Sequence, residues 1–273
     1  MARARTTARK PKRTRRQPKR ILNCIPSPET EDDWRIDTAE DAGVLGAAPR
    51  VPARKDLRQP WWRIGDQGST GSCVGWAAAD GVLRWHFVKA GRIATSEQLS
   101  PRFQWLAAKE TDTFNTRPTT FVEAEGTSLK AALDIARKYG AVKDPVLPFA
   151  TGQLYGGNAQ TFYAIAAQLK ISMYFNLGRE LEDWRTWLAT KGPILTRLNV
   201  DSTWDKASTT KGALELYRPR SAKGGHAVTL VGYTPETFVV RNSWGTSWGD
   251  RGFAHASLAY AQAAFTEAYG VEV

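Results

Sequence analysis

Two cysteines, two methionines and three histidines in 273 residues leave little material for several chemistries. Cys24 and Cys73 alone rule out a disulfide framework. With His86, His226 and His255 they show no metal-ligand spacing, so neither a metal nor a cofactor is expected. No apolar run is long enough to cross a membrane. The early apolar pieces, Ile21-Leu22 and Cys24-Ile25, fall far short of a secretory signal, which points to a reducing, cytoplasmic setting. There is no internal repeat and no glycine-rich phosphate loop.

What is present supports a folded body. Hydrophobic residues make up 42% of the chain and include 11 tryptophans, enough for a substantial core. The net charge of +11 is misleading, because ten Lys or Arg and no acid occupy residues 1–20; removing those ten leaves +1 for the rest. Residues 1–20 therefore read as a basic, disordered tail with affinity for nucleic acid or another polyanion. A transit-type peptide and a merely solvated tail are the competing readings, and no aromatic is interleaved for base stacking. Residues 21–55 form an acidic, proline-containing connector that can fold back on the tail or over the body.

The run from Asp66 to Ala77 is a glycine-rich loop entering a helix, with Cys73 at the junction. Val74, Ala77, Ala78, Gly81, Val82, Trp85 and Val88 recur at helical spacing, and Gly91 supplies the stop. A helix N-terminus favours thiolate, which makes Cys73 a candidate nucleophile; a buried structural cysteine is the plainer alternative. Further on, Gly224–Tyr233 and Phe238–Asn242 read as a hairpin turning at Thr234-Pro235-Glu236. Period-two alternation puts His226, Val228 and Leu230 on one face with Phe238, Val240 and Asn242, so His226 and Asn242 come together. An imidazole beside an amide oxygen completes the nucleophile, base and orienter set of covalent catalysis.

Gln67 to Ala77, the His226-Ala227-Val228 strand and the run from Asn242 through Trp244-Gly245 and Trp248-Gly249 to Gly252 together resemble the papain family of cysteine peptidases. The resemblance runs from about Asp56 to Tyr269 and is nearest to bacterial-type members without secretory disulfides. It implies an α+β, two-lobed fold: a helical lobe at about 61–165 carrying Cys73, and an antiparallel β lobe at about 166–273 carrying His226 and Asn242. Residues 56–273 are then the peptidase domain. It also implies that Gln67 donates to the oxyanion with the Cys73 backbone N–H, that Trp244 shields Asn242, and that Gly126, Thr127 and Gly225 line the substrate. Thr70 and Val74 stand where secreted members carry a structural cysteine and a tryptophan.

The expected activity is hydrolysis of peptide or protein substrates through a Cys73 acyl-enzyme. A silent or latent papain-like scaffold, tethered by its tail to nucleic acid or an assembly, is the rival, and acyl transfer to amines a third option. Residues 21–60 lack the long helical pattern of papain-like prosegments, so any latency falls to this connector or to a partner. Cys24 receives no role and serves as a reference thiol. His86 and His255 are read as structural or surface groups.

Overall fold

The computed structural model describes residues 19–46, 50–111 and 125–273. Most of the basic tail and most of the polar loop after Thr111 lie outside them. The helical half is built on one continuous rod, Cys73–Gly75, Trp76–Leu83 and Arg84–Lys89. Its middle segment has π rather than α spacing. A π turn frees carbonyls that need partners from outside the helix. Two are supplied: the Thr229 hydroxyl donates to the Ala77 carbonyl at 3.2 Å, and Trp62 Nε1 donates to the Asp80 carbonyl at 2.6 Å. Gly81 permits the approach, since a Cβ there would lie 2.0 Å from Thr229 Oγ1. The rod stops at Gly91, in the left-handed region at φ 69°.

Two further helices pack on this rod, Pro101–Thr111 and Leu129–Lys138. Each is capped by a serine: Ser100 Oγ accepts from Phe103 N at 3.0 Å, and Ser128 Oγ accepts from Ala131 N at 3.2 Å. Leu129, Ala132, Leu133, Ile135 and Ala136 face inward onto Val74, Ala78 and Val82, forming the helical core. Tyr139, just past the second of these helices, is exposed and pairs with Tyr163 at 5.4 Å between ring centroids.

The second half is a mixed sheet. Its strands are β1 (Lys55–Asp56), β2 (Met173–Asn176), β3 (Ile194–Val200), β4 (Ala213–Leu214), β5 (Gly224–Tyr233), β6 (Thr237–Arg241), β7 (Phe253–Ser257) and β8 (Phe265–Glu272). They run in the order β2-β8-β3-β5-β6-β7-β4, with β1 also on β5; β4 and β7 pair in parallel and the other strand pairs are antiparallel. The amphipathic helix Leu181–Thr190 covers one face and buries Trp184, Trp187 and Leu188. A second core forms there, separate from the helical one. Two cores flanking a shared seam are the α+β, two-lobed arrangement.

The hairpin turns where the sequence places it, with Thr234 Oγ1 accepting from Glu236 N and Thr237 N. One feature departs from simple alternation: a bulge between Leu230 and Gly232, so Leu230 pairs with Val240 while Tyr233 pairs with Phe238. The connector is part of the body. Ala39 and Leu45 join the sheet core, Cys24 joins the helical core, and Lys55 and Asp56 pair with β5.

Candidate active site

Cys73 begins the central rod and is fully buried at the seam between the lobes. His226, on β5, faces it. The ring Nε2 lies 2.8 Å from Asn242 Oδ1, which also accepts the Ser243 N–H at 2.8 Å. With Nε2–H donated to the amide oxygen, Nδ1 carries the lone pair; that atom has no oxygen or nitrogen partner and is left for the Cys73 sulfur. Cys73 is held well below the ordinary thiol range, first by a hydrogen bond from Cys24, against the opposing effect of burial, and further by His226 and the Ala227 N–H. The three residues singled out by motif therefore meet in one place.

Three tryptophans enclose the imidazole. Trp244 lies 4.9 Å and Trp204 5.5 Å from it between centroids, and Trp248 packs on both, at 5.4 and 4.8 Å. Trp204 is itself fixed by Nε1 donating to Tyr260 Oη, which donates to Asp201. Water is thus kept from the His226–Asn242 bond, where it would compete for the amide oxygen. Sequence reasoning assigned this role to Trp244 alone; Trp204 lies in a short helical turn with no local signal.

Gln67 is buried in the loop before Cys73. Its Nε2 donates to the Thr70 carbonyl at 3.0 Å, using one of two amide hydrogens, and its Oε1 accepts from Ser243 Oγ at 2.8 Å. The Gln67 loop and the Asn242 loop are thereby tied to each other. Behind both sits an ionic group that the sequence analysis missed. Asp80, on the rod, binds Arg84 at 3.1 Å and Arg241 at 2.6 Å, all three nearly inaccessible to solvent. Arg241 immediately precedes Asn242, so this group fixes the end of β6 against the helix that carries Cys73.

Gly126, Thr127 and Gly225, expected to line a peptide, are occupied by the chain's own connector. Cys24 N donates to the Gly225 carbonyl at 3.0 Å, and Ile25 N donates to the Thr127 carbonyl at 3.3 Å. A Cβ on Gly126 would fall 1.9 Å from the Asn23 carbonyl oxygen, and one on Gly225 would fall 2.1 Å from that of Cys24. Two anchors flank the segment. Arg20 binds Asp66 at 2.5 Å and the carbonyls of Gly68 and Trp244, at 2.9 and 3.1 Å. Asp33 binds Lys130 of the helical lobe and Tyr269 Oη of the sheet, both at 2.7 Å. Between them Cys24 rests against Cys73, so its reading as an unrelated reference thiol is corrected. Contact between residues so distant in sequence leaves no periodic trace.

A cavity of about 560 Å³ opens beside this segment, lined by Leu22, Trp204, Lys223, Trp244 and Trp248. His86 is buried under Gly192, and that burial pushes its pKa down to about 4. His255 lies 3.5 Å from Asp250, away from Cys73. Among the described residues there is no cluster of three potential metal ligands and no helix long and apolar enough to cross a membrane.

Residues 51–268 match the family model described as papain family cysteine protease. Mouse cathepsin F is 33% identical over 107 residues, 36% of this chain and 22% of that protein. The cathepsin B-like CP3 of Giardia intestinalis is 25% identical over 221 residues, 76% of this chain and 69% of that protein. The chain thus spans about a fifth of cathepsin F and a larger share of CP3. In three dimensions it is similar to xylellain, a cysteine protease from Xylella fastidiosa, with a TM-score of 0.75, 20% identity, and 95% of this chain and 98% of that one covered.

Proposed function

The chain belongs to the papain family of cysteine proteases, and we propose that it is a peptidase working through Cys73, His226, Asn242 and Gln67. The observation that carries this is the His226 Nε2 to Asn242 Oδ1 contact at 2.8 Å, which leaves Nδ1 for the buried Cys73 sulfur. In the proposed reaction the Cys73 thiolate attacks the peptide carbonyl. Negative charge develops on the oxygen and is met by the Cys73 N–H at the helix start and by the Gln67 amide hydrogen not bound to Thr70. The C–N bond breaks as His226 gives its proton to the leaving amine. His226 then takes a proton from water, which attacks the acyl-enzyme and releases the acid and the thiolate. Gly126, Thr127 and Gly225 offer main-chain groups to an extended peptide, the mode by which a strand adds to an edge.

The test is hydrolysis of a fluorogenic peptide by the full chain under reducing conditions. Cleavage that vanishes in Cys73→Ala and in His226→Ala supports the reading; cleavage surviving both removes it. Release of amide products when an amine acceptor is added would favour acyl transfer instead.

One observation favours latency as a second reading: Cys73 and His226 are both at 0% exposure with the Asn23–Ile25 backbone across them. A substrate reaches the thiol only when that segment leaves. Polyanion binding by the basic tail is proposed from charge alone, since residues 1–18 lie outside the described structure and Arg20 is already engaged at Asp66. Deleting residues 1–18 is expected to abolish salt-sensitive retention on heparin; unchanged retention would refute it.

A further inference from the structure

The chain has two cysteines, both are buried and free, and they touch. Each is fixed by its own backbone. Cys73 begins the central rod, while Cys24 is held on both sides of its sulfur, by its N–H on Gly225 and by Arg197 Nε donating to its carbonyl at 2.9 Å. Arg197 is in turn fixed by Thr266 Oγ1 at 2.8 Å. Gly225 has no side chain to hold the segment away. Cys24 and Cys73 are thus placed beside each other by groups that do not depend on their sulfurs.

We propose that Cys24 and Cys73 form a redox latch, in which a peroxide-class oxidant joins them as a disulfide that closes the site and a dithiol opens it. The inhibitory part rests on Cys73 being the nucleophile; the bond itself does not. The chemistry balances. The Cys73 thiolate attacks one peroxide oxygen, an S–O bond forms, the O–O bond breaks, and the departing hydroxide takes a proton to become water. The Cys24 sulfur then attacks the Cys73 sulfenic sulfur, loses its proton, and expels hydroxide as a second water. Two thiols give up two electrons and one peroxide accepts them. Reversal by a dithiol passes through a mixed disulfide and leaves the reductant as its own disulfide.

The surroundings suit the two roles. Burial and the adjoining Cys73 push the Cys24 thiol up, so it stays protonated while Cys73 is the thiolate. The first attack therefore belongs to Cys73 and the resolving step to Cys24. Disulfides in reducing compartments are characteristically transient and redox-sensing, so the latch fits the setting that the sparse cysteine content suggests. It also spares the nucleophile, because a sulfenic acid with an adjacent thiol is consumed before a second peroxide oxidises it irreversibly.

The deciding experiment treats the reduced full chain and its Cys24→Ser variant with about one equivalent of hydrogen peroxide. Intact mass, non-reducing peptide mapping and peptide hydrolysis are then read with and without dithiothreitol. The expected result for the native chain is a mass loss of ~2 Da, a cross-linked peptide pair containing Cys24 and Cys73, and reversal of both by the dithiol. Hydrolysis falls with the cross-link and returns with its reduction. Cys24→Ser is expected instead to gain about 16 Da as sulfenic acid and, once a second equivalent of peroxide is added to both proteins, about 32 Da as sulfinic acid, which the dithiol does not remove. A native chain that accumulates these same oxygen adducts, or that cross-links only between molecules, overturns the latch. If Cys24→Ser does not fold, the mapping of the native chain still decides. A cross-link with no hydrolysis in any form upholds the Cys24–Cys73 bond but sinks the peptidase reading and the inhibitory part with it; hydrolysis without the cross-link overturns the latch and leaves the peptidase reading standing.

Discussion

The hairpin that carries His226 and the segment from Arg20 to Ser27 both reach Cys73, yet they are held by different kinds of structure. β5 is paired with β3 along one edge and with β6 along the other, and its histidine is enclosed by Trp204 and Trp244. The end of β6 is tied to the central rod by the buried Arg241–Asp80 pair. The covering segment has no strand of its own; it relies on a few backbone bonds and on the Arg20 and Asp33 anchors. The machinery belongs to the cooperative core, whereas the cover is a set of separable contacts that open at lower free energy than global unfolding.

The largest effect should come from the chemistry itself. Cys73→Ala or His226→Ala is expected to lower kcat/KM by about 10⁴-fold or more, because the members act as a unit. Circular dichroism should stay native, showing that the loss is not one of folding.

Breaking the support is next. Asp80→Ala leaves Arg84 and Arg241 buried without their carboxylate, and a loss of about 3–5 kcal/mol in urea denaturation is expected. An unchanged midpoint would mean that the fixed side does not depend on this group.

A pH effect of slightly smaller size acts on the same rod. His86 has a folded-state pKa of about 4 against 6.5 when unfolded, because burial disfavours the charged ring. Between those values the unfolded chain binds the extra proton, so stability falls as pH falls, by ~3 kcal/mol across the window. His86→Leu should flatten that slope; a slope unchanged in the variant would assign it elsewhere.

The smallest effect is on the cover. Arg20→Ala removes a contact that is half open to solvent on the Asp66 side, worth about 1 kcal/mol. Alkylation of Cys73 should then quicken by about 5-fold while the urea midpoint stays put. A matching shift in that midpoint would erase the distinction between the two regions.

How much of this was legible in the sequence follows the same division. The rod and the hairpin were readable, because each is encoded by local periodicity and by a stop or turn residue. Asn242 was placed beside His226 by alternation counted from the turn, and the hairpin reaches that register only through the bulge between Leu230 and Gly232, which offsets the Tyr233–Phe238 pairing by one residue. The π spacing was hidden, because the apolar repeat of Val74, Ala78 and Val82 serves either turn. Asp80, Arg84 and Arg241 were also missed: charged residues are exposed by default, and only the fold reveals that both arginines pair with the one carboxylate. Cys24 and Trp204 were invisible for a plainer reason, as their partners lie far along the chain and no pattern links them.

The connector segment touches both lobes at once, with Cys24 on Gly225, Ile25 on Thr127, and Asp33 on Lys130 and Tyr269. Mechanically it is a shim that sets the spacing of the cleft. On the proposed peptidase reading, a peptide that displaces it would also have to replace it as the spacer, so binding at Thr127 and Gly225 together would carry a geometric requirement that neither contact has alone. On that reading, a ligand too short to reach both would leave the lobes without a bridge, and the length of the bound backbone would become a criterion of selection before any side chain is read.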